Sequence, residues 1–217
     1  MTFHLSPLTV IGNPIFDVLL FSMTESGFQH LKADIFQLLD DGLDPRLTYH
    51  STAHTRDVMQ QAARIAATEN ITDPGTLLLL QVAALFHDTG FLYTYKDHEK
   101  KSCEIMEETL ADSEFNSLEI ATIKNMIMAT KIPQSPHTLP EMILCDSDLD
   151  YLGRSDFKSV SDRLHEEMMN YEIIKTEPEW NQLQVSFFEG HRYFTCSSQR
   201  DRNPMKMQQL EKLRQKI

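Results

Sequence analysis

Glycine and cysteine are scarce in this chain, and both shortages limit the structures it can form. Only 7 of the 217 residues are glycine, which is few for the many tight turns of an all-β protein. The cysteines, Cys103, Cys145 and Cys196, are widely spaced and contain no C-x-x-C pair. They predict reduced thiols in a cytoplasmic protein, and they indicate neither a disulfide framework nor a zinc–thiolate site.

Positive charge is also in short supply. The formal net charge of −12 argues against a nucleic-acid polymer as a partner. A small anionic substrate stays open, because a bound metal ion can dominate the local field. The apolar stretch Leu8–Met23 contains Asn13, Pro14 and Asp17 and follows no basic region, so we expect no membrane association. The oligomeric state is undetermined at this stage, with a homodimer among the alternatives.

Sustained strand alternation is absent, whereas apolar residues recur at helical spacing along most of the chain. We predict an all-α, single-domain helical bundle over residues 27–217, preceded by an irregular segment over residues 1–26. The motifs below lie within residues 47–153, and C-terminal helices occupy residues 156–217. The predicted helices span residues 27–39, 52–68, 76–88, 97–110, 116–130, 141–152, 156–174, 179–194 and 204–216.

The predicted helix over residues 76–88 is apolar nearly all round, since LLLL and VAALF leave only Gln81 polar between them. A helix of this composition is typical of the centre of a bundle. It ends in His87 and Asp88. A carboxylate in such a position is costly unless it has a partner.

Two other polar side chains are predicted to point inward in the same way. His54 lies on the apolar face of its helix with Val58 and Ala62, and Asp148 is flanked by apolar residues in CDSDLDYLG. Burying two histidines and two aspartates is costly unless a cation binds them. Mixed imidazole and carboxylate ligands suit a divalent ion, which could be Mg, Mn, Fe, Co, Ni or Zn.

The order H…HD…D formed by these residues resembles that of the HD-domain superfamily of metal-dependent phosphohydrolases, over roughly half of the chain. The resemblance implies an all-α fold and hydrolysis of phosphoester or phosphoanhydride bonds, typically in nucleotides. It also implies His54, His87, Asp88 and Asp148 as metal ligands, with Asp146 of the same D-x-D segment as the alternative to Asp148.

The stretch YHSTAHTRDVMQ, residues 49–60, is similar to the YHNxxHAxDVxQ signature of class I cyclic nucleotide phosphodiesterases, with Ser51 for Asn and Thr55 for Ala. The resemblance implies that His50 is the general acid, and Asp57 is a further candidate beside the metal. Downstream, QVSF resembles the element by which those enzymes hold a purine, which makes Gln184 and Phe187 candidate substrate-binding residues.

The chain also departs from that family, which has a further histidine in HDxxHPG where this sequence reads HDTGFLY. His98 lies where related two-metal proteins have another ligand, so it is an additional candidate. Those proteins carry a later histidine that is missing near residues 129–131. We therefore expect one tightly bound metal ion.

These observations predict a metal-dependent phosphohydrolase in which Asp88 also orients the attacking water. Lys131, Arg154 or Arg192 are the candidates for neutralising phosphate charge. The expected substrate is a nucleotide, with a cyclic nucleotide phosphodiester first. Two alternatives stay open: a nucleotide phosphatase or triphosphohydrolase of the HD type, and a non-catalytic HD module that keeps the metal as a staple and senses a nucleotide.

Overall fold

The computed structural model describes residues 23–217. Within that range the chain is built of α-helices joined by short loops, and no β-strand occurs. The α-helices are α1 (Glu25–Gly42), α2 (Thr52–Thr68), α3 (Pro74–Phe86), α4 (His98–Thr109), α5 (Ser117–Ala129), α6 (Leu139–Asp148), α7 (Phe157–Asn170), α8 (Glu177–Gly190), α9 (Cys196–Asp201) and α10 (Asn203–Arg214). Two 3₁₀ turns, Thr89–Leu92 and Asp150–Gly153, follow α3 and α6.

Side-chain caps fix where the helices that carry the site begin. Asp73 accepts a hydrogen bond from the Thr76 amide ahead of α3, whose first residue is a proline. Thr138 and Glu141 form a capping box at the start of α6. Such caps satisfy backbone donors that have no partner inside the helix, and each typically stabilises by about 1 kcal/mol.

The main core surrounds α3, which contacts α1, α2, α4, α5 and α6. The side chains from Val82 to Phe86 are fully buried, so the most apolar helix of the sequence is the central one. The segment Pro74–Leu92 is long and apolar enough to cross a membrane, but 61% of it is buried inside the structure. This burial is typical of the core helix of a globular protein.

A second apolar cluster joins the C-terminal helices to the 3₁₀ turn after α6. Its members come from that turn and its approach, from α7, α8 and α10, and from the loop before α2. They are Tyr49, Leu149, Tyr151, Leu152, Phe157, Val160, Val185, Phe188, Leu210 and Leu213. The candidate site described below lies where the two cores meet.

Gly90, the last residue of the HDTG motif, allows the chain after α3 to lie directly on the start of α4. A Cβ atom built on Gly90 would be 2.0 Å from the backbone oxygen of His98. The Gly90 amide also donates a 2.8 Å hydrogen bond to the Ser102 hydroxyl. Because only glycine permits this approach, it brings His98 next to the end of α3.

The all-α prediction is confirmed, and most helices lie within a few residues of their predicted bounds. The predicted helix over residues 141–152 divides into α6 and a 3₁₀ turn. Helix α7 ends at Asn170, four residues early, because Glu172 has a φ of 55°, which an α-helix cannot accommodate. Helix α9 was not predicted, since CSSQRD has no apolar periodicity. The apolar stretch Leu8–Met23 and the predicted irregular segment lie mostly outside the described residues.

Candidate metal centre

Four side chains from three helices converge at one end of α3. His54 extends from α2, His87 and Asp88 follow α3, and Asp148 is the last residue of α6. His54 Nε2 lies 3.1 Å from Asp148 Oδ1, 3.3 Å from Asp88 Oδ2 and 3.4 Å from His87 Nε2. His87 Nε2 lies 3.2 Å from Asp88 Oδ2 and 3.7 Å from Asp148 Oδ1.

The orientation of His87 leaves one ring nitrogen available for a ligand. Its Nδ1–H donates a 2.8 Å hydrogen bond to the carbonyl of Ala84 in the preceding turn of α3. A carbonyl only accepts, so Nδ1 carries a proton and Nε2 is the nitrogen that faces the cluster. The side chain is fully buried, which fixes the ring at this angle.

The cluster fits a divalent cation. Ligand atoms about 2.0–2.2 Å from one cation are roughly 3–3.6 Å from one another, close to the separations among His54, His87 and Asp148 and to those of Asp88 Oδ2 from the two histidines. His54, His87 and Asp148 meet the spacing expected of a metal-binding triad. Asp88 Oδ2 is buried and has no hydrogen-bond partner within residues 23–217. Such an oxygen is costly unless a cation faces it.

The charges of the cluster also favour a bound cation. Burial opposes a charged imidazole at His54, but the carboxylates of Asp148 and Asp88 outweigh it and raise the pKa of His54 to about 9. Burial likewise opposes charge at His87, where the same carboxylates raise the pKa well above its usual value. Burial acts to raise the pKa of Asp88 and Asp148, yet the adjacent histidines lower it at both. The cluster therefore attracts positive charge.

The two aspartates of the D-x-D segment face different surroundings. Asp146 is fully buried and accepts hydrogen bonds from the amides of Phe194 and Thr195 at 2.8 Å and from the Thr195 hydroxyl at 2.6 Å. Burial raises its pKa. Asp146 thus holds the start of α9, and the geometry places Asp148, and not Asp146, beside His54.

His50, the expected general acid, lies beside the cluster and is held by a carboxylate that the sequence analysis did not identify. Its Nδ1 hydrogen-bonds to Glu167 of α7. The other oxygen of Glu167 accepts hydrogen bonds from the backbone amides of Tyr49 and His50, each at 2.9 Å. The Tyr95 hydroxyl donates to Glu167 at 3.0 Å. Burial opposes ionisation of Glu167, but His50 and these amides lower its pKa.

His98 approaches the opposite side of Asp88. Its Nε2 lies 3.5 Å from Asp88 Oδ1 and 3.6 Å from Glu99 Oε1. Phe91 stacks between the rings of His50 and His98, with ring centroids 4.0 Å from each. The rings of His50 and His98 are themselves 6.1 Å apart, so the three rings form one cluster beside the metal centre.

The candidates for phosphate contact lie away from the cluster. Arg154 donates 2.7 and 2.9 Å hydrogen bonds to Asp57, so these two candidate residues form an ion pair with each other. Lys131 is paired with Asp97 at the surface. The Arg192 guanidinium lies over the Phe194 ring beside a neighbouring cleft. None of these side chains lines the cavity described next.

A cavity of about 250 Å³ opens from the cluster toward α7 and α8. His50, Asp88, His98 and Asp148 line its polar end. Gln184 and Phe187, the predicted purine-binding residues, also line it. Gln184 Oε1 accepts a 2.9 Å hydrogen bond from Ser161, which leaves the amide N–H groups as donors. Apolar side chains form the remaining wall, among them Tyr151, Leu164, Trp180, Leu183 and Phe188.

Comparison with known proteins finds a matching domain model and a solved structure of similar fold. Residues 52–150 match the family model described as the HD domain, a range that includes His54, His87, Asp88 and Asp148. A crystal structure described as a predicted HD superfamily hydrolase, from an uncultured Thermotogales bacterium, is similar with a TM-score of 0.50. The two chains are 23% identical over 73% of this chain and 91% of that one, a likeness of fold. No curated protein matches the chain.

Proposed function

The chain contains an HD domain, and on that premise we propose that it is a metal-dependent phosphohydrolase. The proposed substrate is a nucleotide, first of all a cyclic nucleotide phosphodiester. One observation carries the proposal. The unpartnered oxygen of Asp88 and the nitrogens of His54 and His87 face one point at the end of a cavity that His50 also lines.

His54, His87, Asp88 and Asp148 would hold the cation. A divalent ion held there supplies Lewis-acid chemistry, which polarises a phosphoryl oxygen and makes water nucleophilic near neutral pH. The second oxygen of Asp88 faces His98 and can accept a hydrogen bond from the attacking water. Asp88 would in this way orient the water toward the phosphorus atom.

His50 would donate a proton to the departing oxygen as the bond from phosphorus to that oxygen breaks. The carboxylate of Glu167 accepts the Nδ1–H of His50, so the ring can present its Nε2–H to the cavity. Stacking on Phe91 restrains the plane of the ring. A general acid needs this control of position before its acidity can contribute.

Purified protein loaded with Mn²⁺, assayed with cyclic AMP, mononucleotides and bis(4-nitrophenyl) phosphate, tests the proposal. We expect hydrolysis by the wild-type protein and a loss of about 10²–10⁴-fold in His50→Asn on cyclic AMP. Metal content, measured by plasma mass spectrometry, should stay the same in that variant. His30→Asn, an exposed histidine on α1, is the matched control. If loaded wild-type protein hydrolyses none of these compounds, the proposal is wrong.

A further inference from the structure

The wall of the cavity that α7 and α8 form is apolar and largely aromatic. Trp180, Phe187 and Phe188 of α8 line it together with Leu164 of α7. Its polar contribution comes chiefly from the Ser161–Gln184 pair. A wall of this kind suits a flat, weakly polar group, because stacking and burial of apolar surface would provide most of its binding free energy.

Cationic side chains are missing from the wall. Within residues 23–217, no lysine or arginine lines the cavity, and residues 1–22 contain neither type. Lys131 is adjacent in sequence to two lining residues, but its ammonium group pairs with Asp97 at the surface. Sites that bind phosphate chains generally add lysine or arginine to the metal ion. The cavity therefore offers no lysine or arginine as a partner for a second or third phosphate.

The polar end of the cavity is rich in carboxylates. Asp88, Glu99 and Asp148 line it, and Glu167 lies directly behind His50. One divalent cation carries half the charge of these four carboxylates. Each additional phosphate would therefore add anionic charge where nothing compensates it, which is unfavourable in a partly desolvated cleft.

We infer that this site, given the proposed function, takes a phosphoester with one phosphorus group of single negative charge joined to a flat, weakly polar group, and that it excludes nucleoside triphosphates. The cavity would in this way select substrates by charge. This selection follows from the composition of the wall, and it holds whether or not the flat group is a nucleobase.

Cyclic AMP and ATP serve for the test, since they share base and sugar. They differ in the number of phosphates and in the bond hydrolysed, so turnover is compared together with the binding measurement below. Metal-loaded protein, with Mg²⁺ in excess over ATP, is assayed for the kcat/KM of each compound. We expect kcat/KM for cyclic AMP to exceed kcat/KM for ATP by at least about 10-fold. A smaller ratio, or a preference for ATP, overturns the inference while leaving the proposed phosphohydrolase function intact.

A charge added to the wall should weaken the selection. Leu183 lines the cavity and is 38% exposed, so a polar side chain can replace it without entering the core. Leu183→Lys should lower the ratio of cyclic AMP to ATP by at least about 3-fold relative to Leu183→Gln, which adds polarity without charge. Equal ratios in the two variants would show that charge on this wall does not select the substrate.

Binding gives a second measurement that does not require turnover. Trp180 is the single tryptophan of the chain and lines the cavity, so its fluorescence reports on occupancy. Cyclic AMP should change this fluorescence at a concentration at least about 10-fold lower than ATP does. Tighter binding of ATP overturns the inference. If neither compound is hydrolysed, the proposed function is wrong for nucleotides, and the order of binding alone decides the charge selection.

Discussion

The helices α1–α6 and the helices α7–α10 contribute different parts of the candidate site. The first group supplies every proposed metal ligand, on the ends and inner faces of helices packed around α3. The second supplies Glu167, which holds His50, and the α7 and α8 side chains that form the apolar wall of the cavity. The difference indicates that metal binding and substrate selection depend on separate sets of contacts. Substitutions in the two groups should therefore separate the two properties.

The largest effect is expected in the first group. His87→Ala removes a fully buried proposed ligand, so the protein should lose its bound metal and its hydrolytic activity together. The loss of activity should exceed the roughly 10–100-fold loss typical of a residue that only supports a ligand. Metal content and cyclic AMP hydrolysis measure the two effects. His137→Ala, which replaces an exposed histidine, is the control, and full metal retention in His87→Ala would exclude His87 as a ligand.

In the second group, Glu167→Gln should lower activity without changing metal content. The amide cannot hold the Nδ1–H of His50 as a carboxylate does, so we expect kcat on cyclic AMP to fall by about 10–100-fold with little change in KM. Tyr95→Phe, which removes one hydrogen bond to Glu167, should have a smaller effect.

The leaving group distinguishes the positioning of a general acid from a general structural role for Glu167. The nitrophenolate of bis(4-nitrophenyl) phosphate departs readily without a proton, whereas the alkoxide from cyclic AMP does not. The loss in Glu167→Gln should therefore be several-fold smaller on the nitrophenyl ester. Equal losses on both compounds would contradict the proposed role.

The two aspartates of the D-x-D segment sharpen the comparison further, because one of them connects the two groups of helices. Asp146→Ala leaves the amides of Phe194 and Thr195 and the Thr195 hydroxyl without their acceptor. We expect the free energy of unfolding to fall by about 2–4 kcal/mol, with metal content unchanged in the folded protein. Urea unfolding measures the loss. Asp146→Asn, which keeps one acceptor oxygen, should lose less, and metal loss in either variant would contradict the assignment.

The sequence predicted the first group better than the second, for physical reasons. His54 lies on a helix face whose apolar periodicity points to the core, and His87 and Asp88 end a helix so apolar that burial is expected for it as a whole. The distinction between Asp146 and Asp148 depended on a resemblance, because periodicity does not reveal which one meets Thr195 and which one meets His54. Glu167 follows Glu166 in an amphipathic helix, and only the packing of α7 against the loop before α2 buries one of the pair.

The smallest effect is expected from the cations that the sequence offered as phosphate contacts. Lys131→Ala removes a surface ion pair with Asp97, which typically contributes about 0–1 kcal/mol to stability. Because the ammonium group lies outside the cavity wall, kcat/KM for cyclic AMP should change by less than about 2-fold. Asp97→Ala is the control, since it frees Lys131 without removing it. A large loss in Lys131→Ala alone would show that this lysine turns into the cavity during the reaction, which would contradict a charge selection based on a wall without cations.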